Sequence, residues 1–188
     1  TDFRLFYDVA KGDVGASVLS YRPSADDDGY FLLLASPQIK ADSAERPAKT
    51  TIFVVDRSGS MSGKKMEQAK EALKFVLNNL RQGNTFNIVA YDSSVESFRP
   101  ELQKYDDEAR KAALGFVEGL YEGGSTKIDG ALPTALGMIQ DAKRPSYVIF
   151  LTDGLPTAGE TNEGKIVERA RQNNKYRTRV VNLGVGYD

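Results

Sequence analysis

Beyond residue 50 the chain alternates between short unbroken apolar runs and longer stretches where apolar residues recur every three or four positions. The runs lie at residues 51–55 (TIFVV), 86–91 (FNIVAY), 147–151 (YVIFL) and 180–185 (VVNLGV). β-Branched and aromatic residues without polar alternation predict strands covered on both faces, which places Tyr147 and Phe150 in the core. Between the runs, Met66, Ala69, Leu73, Val76, Leu77 and Leu80 fall on one helical stripe, and Ala109, Ala112, Ala113, Phe116, Val117 and Leu120 on another. A third helix is expected through Ala131, Leu132, Ala135, Leu136 and Ile139, and a weaker fourth through Ile166, Val167 and Ala170. Residues 95–98 follow Tyr91 after only Asp92, Ser93 and Ser94. That is too short for a crossover and predicts an antiparallel edge strand. Strand–helix alternation of this kind predicts an α/β fold with a doubly wound, mostly parallel central sheet, whose ligands bind at the carboxyl ends of the strands.

The first fifty residues follow another pattern. Residues 3–7, 14–21 and 30–35 read as short strands, the last two joined by the solvated turn Asp26-Asp27-Asp28-Gly29. Residues 40–49 are polar, contain Pro47 and read as a linker. The expected organisation is a β-rich extension with a hairpin over residues 1–50, then an α/β domain over 51–188. Because the chain starts at Thr1 and stops soon after its last apolar run, it reads as an excerpt of a longer protein.

Composition narrows the chemistry. Basic and acidic residues number 25 and 26, so no basic excess marks a nucleic-acid binder. No apolar run approaches the ~20 residues of a membrane span, and a monomer without membrane insertion is expected. The chain has no cysteine and no histidine. Thiolate zinc sites, Fe–S clusters and every triad or dyad built on imidazole or thiol are therefore excluded. Any metal here is held by oxygen, which means Mg²⁺, Mn²⁺ or Ca²⁺.

The oxygen donors sit where the fold class puts ligands. Asp56-Arg57-Ser58-Gly59-Ser60-Met61-Ser62-Gly63 follows the first core strand, placing an aspartate and two hydroxyls at alternate positions of a tight turn. Gly123-Gly124-Ser125-Thr126 opens the third helix, and Thr152-Asp153-Gly154 ends the strand at 147–151. In a doubly wound sheet Asp56, Ser58, Ser60, Thr126 and Asp153 can meet at one edge, an arrangement suited to a compact hard cation. Few carboxylates in such a set leave the ion electrophilic toward an external anion. Asp92 also follows a strand, but is expected to start the turn at 92–94 instead.

This three-part pattern resembles the von Willebrand factor A domain with its metal-ion-dependent adhesion site: Asp-x-Ser-x-Ser, then a threonine, then an aspartate. The resemblance covers about residues 51–185. It implies one divalent cation, Mg²⁺ before Mn²⁺ or Ca²⁺, ligated directly by Ser58 and Ser60. Asp56 and Asp153 would act through water, and Thr126 directly or through water. A partner protein's Asp or Glu completes the set, which makes the domain a binding module of extracellular, cell-surface or periplasmic proteins and not an enzyme. The stretches at residues 29–33 and 56–61 look like the inter-α-trypsin inhibitor heavy chain subgroup, with a bacterial relative expected. In that subgroup a vault-protein-type domain precedes the A domain. Two departures stand out: Pro133 falls within the helix after Thr126, and the chain stops before the family's final helix, leaving one sheet face partly bare.

Two other functions compete. A metal-dependent phosphatase or hydrolase could use Asp56 as its nucleophile, but needs a general acid two residues on, where Ser58 is a poor proton donor. The third reading is a structural domain with a vestigial metal site.

Overall fold

The computed structural model describes residues 14–24, 26–37 and 47–186. The chain divides into two compact units, Thr1–Arg46 and Pro47–Asp188. In the first, β1 (Val14–Tyr21) and β2 (Tyr30–Pro37) pair antiparallel, from Val14↔Pro37 to Tyr21↔Tyr30. Their turn is tied by Arg22 Nε and Ser24 Oγ, which donate to the carbonyl and carboxylate of Asp27, each at 2.8 Å. The strand expected at 3–7 and most of the linker at 40–49 lie outside the described residues.

In the second unit, β3 (Thr50–Asp56) is the centre of the sheet, parallel to β4 (Thr85–Tyr91) on one side and β7 (Ser146–Thr152) on the other. β8 (Arg179–Gly184) runs parallel to β7 at the far edge. The opposite edge of β4 carries two short antiparallel strands, β5 (Val95–Ser97) and β6 (Gln103–Lys104). The mostly parallel sheet and β5 match the expectation from the sequence. β6 is an addition, since two residues are too few to show a period.

All seven residues of β3 are buried, and they alternate between two cores. Phe53 and Val55 pack with Met66, Leu73 and Leu77 of α1 (Lys64–Asn79) and Val117 of α2 (Asp107–Glu118). Ile52 and Val54 pack with Ala131, Ala135 and Leu136 of α3 (Ile128–Gly137). Ile166 and Ala170 of α4 (Glu163–Asn173) close the margin of that second core. A strand with helices on both faces has no side to spare for polar residues, hence the unbroken apolar run. Each large side chain so buried contributes about 1.5–3 kcal/mol.

Two expectations need correction, and one departure is accounted for. β8 has the same apolar character as β3, yet all six of its residues are exposed, because it is an edge strand with no described helix over Val181 and Leu183. Tyr147 is half-buried rather than core, with the Lys49 ammonium 5.6 Å from its ring centre, whereas Phe150 is core as expected. Pro133 stands inside α3 and does not break it. Proline has no N–H to give the carbonyl one turn back, and the next residue ties the helix locally: Thr134 Oγ1 donates to the Gly130 carbonyl at 2.8 Å. Among the described residues, no helix is long and apolar enough to cross a membrane.

Candidate metal centre

The parallel register brings the carboxyl ends of the central strands together. Asp56, the last residue of β3, pairs with Tyr91, the last of β4, and Thr152 ends β7 one step beyond the Val55↔Leu151 pair. Asp56 is fully buried, and its carboxylate is held from three sides. Oδ1 accepts the backbone N–H of Ser58 at 2.8 Å. Oδ2 accepts the Tyr91 hydroxyl at 3.0 Å and the Thr152 hydroxyl at 2.7 Å. Burial, and then the Asp56 charge, push the Tyr91 phenol far above its ordinary value, so it stays protonated and remains a donor.

After Asp56 the chain turns into a single 3-10 turn at Gly59–Met61, anchored by the fully buried Met61. The turn starts at Ser58, which is buried, and leaves Ser60 exposed. Their hydroxyls are 3.0 Å apart, and Ser60 Oγ donates to Asp153 Oδ1 at 2.8 Å. The other oxygen of Asp153 takes the Lys65 ammonium at 2.9 Å. Four of the five expected site residues are thus joined in one hydrogen-bonded chain that spans the first and third loops.

Thr126 joins through its backbone instead. Its N–H donates to Thr157 Oγ1 at 2.9 Å, and its carbonyl accepts from Thr157 and Ala158 N–H at 2.9 and 3.2 Å. The loop carrying Thr126 is stitched to the first loop by Gly59 N–H to the Gly124 carbonyl (3.1 Å) and Gly123 N–H to the Arg57 carbonyl (2.8 Å). Gly124 has φ +69°, and a Cβ there would stand 2.7 Å from Ser93 Oγ, so any other residue is strained at this crossing.

Asp92 does start a turn: Oδ1 accepts the Ser94 N–H and hydroxyl at 2.8 and 2.9 Å. Its other oxygen lies 3.2 Å from Arg57 Nε, which is not aligned for a hydrogen bond, so charge attraction holds the contact. Arg57 also reaches Glu96 at 2.8 Å and lies 5.6 Å from the Tyr121 ring centre, pinning β5 and the second loop to the first. Sequence reasoning missed Tyr91, Thr152, Lys65 and Arg57. The first two carried a signal, each being a polar residue that ends an apolar run beside β3.

The donor set suits a hard divalent cation. Among the described residues no group of three or more His, Cys, Asp or Glu converges, so the donors are mainly hydroxyls. Adjacent corners of an octahedron with Mg²⁺–oxygen bonds of about 2.1 Å are about 3.0 Å apart. The Ser58–Ser60 separation of 3.0 Å matches that spacing and serves equally as a hydrogen bond, while Asp153 accepts from Ser60 behind it.

Comparison with known proteins bears on this geometry. Residues 51–155 match the family model of the von Willebrand factor type A domain. The chain is 31% identical over 195 residues to inter-alpha-trypsin inhibitor heavy chain H1 of Bos taurus, aligning all of this chain with 20% of that protein. It is 32% identical over 190 residues to heavy chain H4 of Homo sapiens, aligning 97% of this chain with 19% of the relative. The chain thus spans about one fifth of the length of these relatives. Among solved structures, a von Willebrand factor type A protein from Catenulispora acidiphila superposes with a TM-score of 0.67 at 22% identity, covering 94% of this chain and 41% of that one. The pilus adhesin SpaC from Lactobacillus rhamnosus GG shares the fold with a TM-score of 0.54 at 18% identity, over 77% of this chain and 19% of the adhesin. With strands, loops and family match in agreement, the chain belongs to the von Willebrand factor type A domain family.

Proposed function

We propose that the second unit is a divalent-cation-dependent protein-binding module that takes an acidic side chain of its partner. The observation that carries this reading is the chain of contacts from Asp56 through Ser58 and Ser60 to Asp153, whose last link joins Ser60 to a residue 93 positions away. Ser58 and Ser60 would hold the ion, with Asp56 and Asp153 behind them and Thr126 from the second loop. Mg²⁺ is the first choice, with Mn²⁺ and Ca²⁺ as oxygen-binding alternatives. When bound, the ion supplies a positive centre for a carboxylate. The chain's own residues fix the donors: Tyr91 and Thr152 lock Asp56, and Met61 anchors the serine turn. Around the site, Tyr121 and Leu155 are exposed, giving apolar contact beside the charged one. An extracellular or cell-surface setting and a monomeric state go with this reading.

The hydrolase reading is disfavoured by Asp56 itself. A nucleophile must reach its substrate, but this carboxylate is fully buried with both oxygens engaged.

Calorimetric titration of Mg²⁺ and Mn²⁺ into the metal-free chain tests the proposal, beside Ser60→Ala and Asp153→Asn. Ser60 is exposed, so its loss leaves the fold intact. Saturable binding to one site, lost in both variants, is expected. Absence of binding in the unaltered chain, or equal binding in all three proteins, would overturn the assignment.

A further inference from the structure

We propose that Lys65 is a resident counter-ion of this site, one that steadies Asp153 in the metal-free domain and holds cation affinity below what the oxygen donors alone would give. The inference rests on the reading of the site just given and assigns a role to a residue outside its donor set.

Asp153 is the buried carboxylate at the open end of the donor chain. Its side chain is 1% exposed, and its two oxygens are shared between a neutral hydroxyl and a full positive charge: Ser60 at Oδ1 and Lys65 at Oδ2. A carboxylate removed from water is stable only when a donor or a cation answers each oxygen. Lys65 is that cation here. A divalent ion on the same donors would supply the same compensation with twice the charge, so the two cations contend for one carboxylate and repel each other.

The position of Lys65 makes it a local competitor. It is the second residue of α1, directly after the serine turn, so its backbone is fixed by the helix. Its side chain is 28% exposed, which leaves the ammonium a route to water when displaced. Lysine is suited to this exchange, since a compact charge on a flexible four-carbon stem leaves a carboxylate more readily than a bidentate guanidinium does. The stem also lies against the backbone that follows β8. Gly186 has φ +100°, and a Cβ there would come within 2.8 Å of Lys65 Cε. The glycine lets the backbone pass beside the stem without a Cβ pressing on it.

The test uses the whole chain with Lys65→Met and Lys65→Arg. Methionine keeps the length of the stem and has nearly the helix propensity of lysine, so α1 is not perturbed. Thermal unfolding is followed in EDTA and in saturating Mg²⁺, and Mg²⁺ affinity is measured by calorimetry. Lys65→Met is expected to melt below the unaltered chain in EDTA and to recover most of the difference in Mg²⁺. Its Mg²⁺ affinity should rise about tenfold, a coupling of about 1.4 kcal/mol. Lys65→Arg keeps the charge, so it should melt close to the unaltered chain in EDTA and bind Mg²⁺ no more tightly than that chain. A purely structural lysine would lower melting equally with and without Mg²⁺, and that result, or unchanged affinity in Lys65→Met, overturns the proposal while the cation site stands. No Mg²⁺ binding by any of the three proteins overturns the cation site and this inference together.

Discussion

The Asp56 carboxylate offers the sharpest test of how the fold holds the site. Tyr91→Phe removes one oxygen atom, the donor 3.0 Å from Asp56 Oδ2, and leaves the ring stacked on Phe150 with centroids 5.7 Å apart. Packing is therefore conserved, and the loss reports the hydrogen bond. A hydrogen bond to a charged group contributes about 1.5–3 kcal/mol. For a unit of this size that corresponds to a fall in melting temperature of roughly 5–12 °C. Thr152→Val removes the other donor to the same oxygen, at 2.7 Å, with almost no change of shape. Each single variant leaves Oδ2 one donor, whereas the double variant leaves a fully buried carboxylate oxygen with none of the two. The double loss should exceed the sum of the singles by at least about 0.5 kcal/mol, the coupling usual for residues sharing one partner. Urea unfolding in EDTA, followed by circular dichroism, gives all four corners of the cycle. If both single variants fall within about 0.5 kcal/mol of the unaltered chain, the range of ordinary surface changes, the two hydroxyls do not hold Asp56.

Gly159→Ala should destabilise the third loop. The residue has φ +71°, which costs a non-glycine about 1–2 kcal/mol, and its new Cβ would stand 2.6 Å from Asp129 Oδ1. Since Thr157 and Ala158 hold Thr126, calorimetry on this variant should also show weaker Mg²⁺ binding, and unchanged stability and binding together would refute the link. Asp106→Ala removes the side chain that caps α2 through the Ala109 N–H at 2.7 Å, and about 1 kcal/mol should be lost in chemical denaturation. At alkaline pH the buried Tyr91 phenol adds a slope of known sign. Its folded value is raised above 10.0, so its share of stability is intact below pH 10 and is lost as pH rises beyond it, by up to about 1.4 kcal/mol per unit. Stability measured between pH 9 and 11 should therefore fall less steeply for Tyr91→Phe, and parallel curves would contradict the buried-phenol account.

Much of this molecule was legible in the order of its residues. A strand buried on both faces carries an unbroken apolar stretch, and β3 announces itself by Ile52-Phe53-Val54-Val55. Loops at the carboxyl ends of such strands have to carry the polar chemistry, and Asp56, Ser58, Ser60, Thr126 and Asp153 stand there in a spacing that the family resemblance made specific. Composition alone excluded thiolate and imidazole ligands. Pattern could not tell β8 from β3, because an apolar run records the tendency to form a strand and not whether a helix covers it. Nor could it find the partners of the site. Tyr91 and Thr152 meet Asp56 only because parallel register aligns three strand ends, and Lys65 meets Asp153 across 88 positions of chain. Those contacts depend on register and helix placement set by the whole core, and distance along the chain says nothing of them.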